Sequence, residues 1–326
     1  MRKNLRIFGK LWKIQFRNYW TDITNIVLGL VLTTFTLFCW LLFTEKGVQT
    51  DRFLLASAIG VSVVRNSLYN FGRTINDFNN KHLVQTFLHT PISKRIIGLS
   101  MIIFNLVTNI FVIAILFALA MCFPDQRIYL QSVNWLMFFS SLFLMVLMSN
   151  LMAIIVVFSF KNNEVIISIF IWLYFIPFYM LGLGVPYYLI NSNTSLNIIT
   201  YFFPHRYVLN LMQAGWIGDT TMSYPLGDGT FAKNGFGYLN QLWIPYLATI
   251  ILIVIFMAII VVIFYKNFSY NARRYKGYPG IYRHLNHIYR IQQATSKEQL
   301  EEIIKYQNNK KHSGSLPNKA PRREIK

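Results

Sequence analysis

Leu242-Trp-Ile-Pro-Tyr-Leu-Ala-Thr-Ile-Ile-Leu-Ile-Val-Ile-Phe-Met-Ala-Ile-Ile-Val-Val-Ile-Phe-Tyr265 contains no charged residue. A helix of about 20 apolar residues, rising ~1.5 Å each, crosses the ~30 Å hydrocarbon layer of a bilayer. Five further apolar runs precede this one, at 23–43, 53–71, 96–123, 133–160 and 165–190. The chain is therefore expected to be all-α and polytopic, with six transmembrane helices. Composition agrees. Only 13% of the residues are charged and 54% are hydrophobic, whereas soluble domains average about 25% charged.

Basic residues collect on one side of these runs. Segments 1–22, 72–95, 161–164 and 266–326 hold 25 Lys and Arg, and the alternate segments hold five: Lys46, Arg52, Arg127, Arg206 and Lys233. Such bias predicts a multi-pass cell-membrane protein with both termini cytosolic. The net charge of +19 lies mostly on membrane flanks and the tail. Membrane lipids with anionic headgroups are thus the expected partner, and nucleic acid is not. Cys39 and Cys122 fall inside apolar runs and read as small apolar fillers, with no disulfide framework or metal site. The first run is of spanning length and lacks a small-x-small cleavage site, so it is expected to be retained.

Residues 1–22 read as a cytosolic interfacial amphipathic helix. Arg2, Arg6, Lys10, Lys13 and Arg17 share one stripe, beside Leu5, Phe8, Leu11, Trp12, Phe16 and Tyr19. A basic membrane flank with no further role is the plainer alternative. After the second run, residues 73–90 keep helical spacing, with Phe78, Leu83, Phe87 and Leu88 partly on one face. Thr90 precedes Pro91, which ends the helix there, and Ser93 can cap the third span. The pattern is a span, a short cytosolic helix, a sharp turn and another span. A helix across the cytosolic mouth suits a push from a soluble partner, and the spacing alone fits an ordinary helical loop equally well.

The ending of this loop resembles that of type-2 ABC exporter permeases, in which Leu-Leu-x-Thr-Pro-Ile/Val-Ser-Arg leads into the third span. Leu88, Thr90, Pro91, Ile92, Ser93 and Lys94 match it. A second stretch is also similar. Permeases of that family end the fifth span in Leu-Pro and continue into an Asn-Pro-x-x-Tyr helix with a late Arg. Here stand Val185-Pro186 and then Phe203-Pro204-His205-Arg206-Tyr207, with Gln213 at the late position. The resemblance covers about residues 1–265. It departs from the family pattern at His82 and Gln85, where Gly and Glu are usual, and at Phe203 and Gln213. It implies a permease pairing as a homodimer or heterodimer with a second permease, and docking an ABC ATPase subunit. The coupling loop would be Phe87, Leu88, Thr90, Pro91, Ile92, Ser93 and Lys94, with Phe87 and Leu88 supplying apolar docking. No cofactor is expected on this chain; ATP and Mg belong to the partner ATPase.

Arg65 is the one basic residue well inside a run, and Ser62, Asn66 and Asn70 recur at helical spacing beside it. A buried charge costs at least ~2.5–3.5 kcal/mol on insertion scales, so it should face protein or water. The stripe reads as a pathway or subunit interface, to which the resemblance also assigns this span. The alternative is an arginine snorkelling to the cytosolic interface. Pro177, Gly182, Gly184 and Pro186 predict a kink or break near the outer end of the fifth run. Residues 198–216, with Pro204 and Tyr207, are too apolar for an open loop and predict a re-entrant segment. Residues 218–237 read as a turn-rich extracellular hairpin or cap.

Absences narrow the function. No Asp or Glu lies mid-run: Asp22 and Glu164 sit at cytosolic edges, and Glu45, Asp51 and Asp125 lie outside. Ion-coupled carriers usually place carboxylates within the membrane. No Gly-x-x-x-x-Gly-Lys-Ser/Thr phosphate loop is present, so this chain is not its own ATPase by that mechanism. The expectation is a non-enzymatic transport subunit with no catalytic or metal site. A secondary carrier or channel-like protein is the first alternative. A lipid-acting membrane enzyme using His82, His89 or His205 is the weakest. In the basic tail, 266–326, Ser296–Gln299 resembles a capping box, His284 and His287 read as a surface pair, and 314–326 is expected to be disordered.

Overall fold

A computed structural model of the chain describes residues 2–45, 51–80, 94–223 and 235–276. Among them all regular structure is helical. The first helix, α1 (Arg2–Thr21), stops at Asp22, whose extended backbone and carboxylate, accepting from the Thr24 amide, cap α2 (Ile23–Ile26). The π-helical turn π1 (Val27–Val31) carries α2 into α3 (Leu32–Glu45). In the same way α4 (Leu54–Arg65) passes through π2 (Asn66–Phe71) into α5 (Gly72–Asn80). Then follow α6 (Lys94–Ala120), α7 (Pro124–Tyr129), α8 (Trp135–Ser159) and α9 (Asn163–Met180). Three shorter helices, α10 (Tyr187–Ser192), α11 (Thr194–Thr200) and α12 (Pro204–Ile217), lead to α13 (Trp243–Lys276). Asparagines set three of these starts. Asn134, Asn162 and Asn193 accept from amides in the first turns of α8, α9 and α11, satisfying donors that have no partner within the helix.

Five helices are long and apolar enough to cross a membrane: Ile23–Thr44, Ile96–Ala120, Trp135–Ser159, Asn163–Met180 and Trp243–Tyr265. Four of them follow their sequence runs within a few residues. The fifth run does not. It breaks near its outer end, as Pro177, Gly182, Gly184 and Pro186 predict: the helix ends at Met180, one turn past Pro177. Gly182 turns the chain at φ 93°, the Gly184 amide donates to the Phe178 carbonyl at 2.7 Å, and Pro186 caps α10. Pro177 is thus accommodated in a last turn, and the break falls on glycines where a left-handed backbone is cheap.

The second run, 53–71, is not among the five. It is helical without interruption from Leu54 to Asn80, yet Arg65, Asn66 and Asn70 lower its apolarity. Every residue from Leu54 to Phe71 is buried, and α3, α6, α8, α9 and α12 all pack on it. It is the axis of the bundle. By contrast α13 leaves most of its apolar surface open, touching α8 where the Tyr246 and Ser140 hydroxyls meet at 2.9 Å and where Phe264 meets Phe158.

Residues 1–84 and 92–266 form one compact unit. The end of α13, from 267 to Lys276, belongs to a second unit. The capping box at Ser296, the His284–His287 pair and the end from 314 lie outside the described residues. So does the helix expected beyond Asn80. Along one edge, α1 packs on α6 through Leu11, Gln15 and Tyr19: Gln15 donates to Ser100 and Tyr19 meets Phe104 edge-on. Its Arg6, Lys10, Lys13 and Arg17 are exposed, as are Ile14, Phe16 and Trp20.

Gly215 lets two helix backbones approach. A Cβ on Gly215 of α12 would lie 2.9 Å from the Phe138 amide nitrogen of α8, while one on Gly98 would meet nothing within 4 Å. Overpacking against a backbone costs ~1–3 kcal/mol. Gly215→Ala is expected to lower the thermal midpoint of the purified protein and Gly98→Ala to leave it unchanged. Equal midpoints for the two variants would contradict this packing.

Candidate functional site

The four stripe residues named from sequence, Ser62, Arg65, Asn66 and Asn70, come together inside the bundle. Arg65 ends α4 with 1% of its surface exposed. Its Nη2 donates to the Thr24 carbonyl at 2.9 Å, and its Nη1 to the neighbouring Asn66 Oδ1 at 3.3 Å. Its guanidinium carbon lies 4.9 Å from the centre of the Tyr69 ring. Arg65 crosses to the first turn of the neighbouring Ile23–Thr44 helix, and Gly29 makes the room. A Cβ at position 29 would come within 2.2 Å of Nη1.

Both π-helical turns lie at this point. π-helical turns are rare and often mark functional sites. In π1 the Leu28 carbonyl accepts from the Tyr174 hydroxyl of α9 at 3.3 Å. Thr24, just before π1, accepts from Arg65, and π2 begins at the residue after Arg65.

No carboxylate lies within ion-pair distance of Arg65 among the described residues. Asp22 is close enough to act on it through space, but its carboxylate is taken by Arg73. Arg73 sits two turns further on, about 35% exposed, donates to the Tyr69 hydroxyl at 3.0 Å and lies 5.7 Å from the same ring. Arg65, Tyr69 and Arg73 therefore form a ladder from the buried axis to the surface at the α5 end. Arg65 Nε, Asn66 Nδ2, Asn70 Nδ2 and Ser62 Oγ are buried and make no hydrogen bond.

Sequence reasoning missed a second polar seam on the same axis. Asn105 of α6 donates to Asn150 of α8 at 2.8 Å and to Ser67 of π2 at 3.4 Å, and Asn109 donates to Ser67 at 3.4 Å. The signal was present as two asparagines four apart within an apolar run. Also missed was Arg206, counted as one cation of an outer segment. It is wholly buried, stacked 3.6 Å from the Tyr201 ring centre. It donates to the Asn197 and Phe236 carbonyls at 2.7 and 3.3 Å and to the Thr200 hydroxyl. It thereby ties α11 and α12 to the segment after residue 234. Burial pushes the nearby Tyr207 and Tyr238 phenols up, so they stay neutral beside it.

The remaining sequence candidates separate. Phe87, Leu88, Thr90, Pro91, Ile92 and Ser93 lie outside the described residues, and Lys94 is the first residue of α6. Pro204 opens α12 and Tyr207 donates to the Tyr201 carbonyl at 3.0 Å. Of the histidines considered for lipid chemistry, His205 meets the Ser149 hydroxyl at 3.2 Å inside the bundle, while His82 and His89 lie outside the described residues. Among the described residues no group of three His, Cys, Asp or Glu side chains could hold a metal. What the Arg65 cluster offers is hydrogen-bond donors and positive charge, which is the chemistry of binding. Comparison with protein-family models, with curated proteins and with solved structures gives no match in any of the three.

Asp22 has two tasks, capping α2 and pairing with Arg73, and two substitutions separate them. Asn retains the cap, and a partly exposed ion pair contributes ~0–1 kcal/mol. Asp22→Asn should therefore cost little, and Asp22→Ala about 1 kcal/mol more, measured from unfolding midpoints in detergent. Equal losses would refute the capping role.

Proposed function

We propose that the chain is the membrane-spanning permease subunit of an ATP-driven exporter resembling the type-2 ABC class. The observation that carries the reading is the enclosed axis. A helix bearing Ser62, Arg65, Asn66 and Asn70 is surrounded by α3, α6, α8, α9 and α12. Intramembrane polar residues of this kind mark substrate paths, while carboxylates that would bind a coupling ion are missing from the apolar runs. On this reading the Leu54–Asn80 helix is a sixth span, and both termini are cytosolic. The α1 helix lies in the inner headgroup layer, where its exposed cations and aromatics meet anionic lipid. The α10–α12 segment enters from the outside as a re-entrant element, held by Arg206, and the pairing of Phe236 with Met222 and Asn240 with Thr221 closes an outer cap.

Energy enters from a separate ABC ATPase subunit that holds ATP and Mg. ATP binds the two conformations of the assembly with different affinity. Closure of the ATPase pushes the loop containing Phe87, Leu88, Thr90, Pro91, Ile92, Ser93 and Lys94, and the bundle switches access from inside to outside. Two permeases, alike or different, pair to form the complete transporter. On this reading the stripe is assigned to the pathway; the alternative is the subunit interface.

Purification in mild detergent, with identification of co-eluting proteins, tests the reading. A stoichiometric phosphate-loop ATPase is expected, lost when Phe87→Asp and Leu88→Asp are introduced together. An ATPase-free, stable preparation would overturn it and favour a secondary carrier.

A further inference from the structure

We propose that Arg65, with Asn66 and Asn70, forms a binding site for a phosphate group. Assigning that group to the exported substrate rests on the permease reading; the binding itself does not. A guanidinium has five N–H groups, and Arg65 makes two hydrogen bonds, both to neutral acceptors. A fully buried cation is normally paired or richly hydrogen-bonded, because desolvation otherwise costs several kcal/mol. Here Nε has no partner, and the one carboxylate acting on the site, Asp22, is engaged by Arg73.

The neighbouring amides point to the same chemistry. Asn66 Oδ1 accepts from Arg65, which fixes the orientation of that amide and makes its other atom, Nδ2, a donor. Asn66 Nδ2 and Asn70 Nδ2 are both buried without a partner. They stand four residues apart along π2, on one side of the helix. One positive charge with three unpartnered nitrogen donors is complementary to a compact anion carrying several acceptor oxygens. Hydrophobic or cationic ligands would leave the imbalance in place.

The guanidinium is level with Thr24, at the first turn of the Ile23–Thr44 helix, and Tyr69 links it to Arg73, which is paired with Asp22 and partly exposed. Gly29 admits the guanidinium itself, since a Cβ there would lie 2.2 Å from Nη1. A phospholipid headgroup and a soluble phosphate both present the required chemistry.

Hydrogen–deuterium exchange on the full chain in phosphatidylcholine nanodiscs tests the site. Inorganic phosphate is one probe, and phosphatidylglycerol incorporated in the disc is the other. Binding is expected to slow exchange about tenfold in peptides covering 23–31 and 62–72, and Arg65→Gln to abolish the effect. Slowing by inorganic phosphate identifies a soluble anion, and slowing by phosphatidylglycerol alone identifies a headgroup. If Arg65→Gln does not fold, Asn70→Leu keeps the charge and should weaken the effective probe about tenfold. No slowing with either probe, slowing that survives in folded Arg65→Gln, or unchanged affinity in Asn70→Leu would overturn the site. A chain that co-elutes with an ATPase but shows no slowing loses the anion site and keeps the permease reading. A chain that binds anions without an ATPase does the reverse.

Discussion

A helix carrying an arginine and several amides cannot face hydrocarbon, because nothing there replaces the hydrogen bonds of water. The other helices answer that constraint. The polar helix requires cover on every side, and α3, α6, α8, α9 and α12 pack on it, so Leu54–Phe71 is buried throughout. Gly29, Gly60 and Gly215 are where the cover comes closest: a Cβ on any of them would collide with Arg65, Leu209 or the α8 backbone. Small residues at these crossings allow the dispersion contacts that hold membrane helices together when lipid tails compete equally for apolar surface.

The same constraint explains the two π-helical turns. Where π2 begins, the stripe residues Arg65 and Asn66 exchange a hydrogen bond, and just before π1 the Thr24 carbonyl receives the guanidinium. A π-helical turn departs from the regular i→i+4 ladder, and inward side chains reach carbonyls beside or within π1: Arg65 donates to Thr24 and Tyr174 to Leu28. The outer end solves the problem differently. Arg206 is buried among carbonyls, a hydroxyl and a tyrosine ring, and it fastens α11, α12 and the chain after residue 234 at one point. Two buried arginines thus organise the bundle, Arg206 locking irregular segments together and Arg65 joining its own helix to the first turn of the Ile23–Thr44 helix.

Much of this was legible in the sequence because apolar run length maps directly onto helix length. The runs beginning at 23, 96, 133 and 242 became helices with nearly the expected bounds. The stripe of Ser62, Arg65, Asn66 and Asn70 was legible too, since period and polarity are one-dimensional properties. The break near the outer end of the fifth run was legible as well, from Pro177, Gly182, Gly184 and Pro186, and the positive φ at Gly182 is where the chain turns. The burial of Arg206 was not legible: its partners, Asn197, Thr200 and Phe236, are backbone and hydroxyl groups that carry no charge signal. Asn105 and Asn109 were readable as a pair, but their partners Ser67 and Asn150 come from distant runs.

The central claim is that Leu54–Asn80 crosses the membrane as the covered axis, making six spans in place of five. Single cysteines at its two ends, Arg52→Cys and Asp77→Cys, in a chain lacking Cys39 and Cys122, test this with a membrane-impermeant maleimide applied to each side of sealed vesicles. Labelling of the two positions from opposite sides is the predicted result. Labelling of both from the same side would contradict the claim, and with it the placement of both termini in the cytosol.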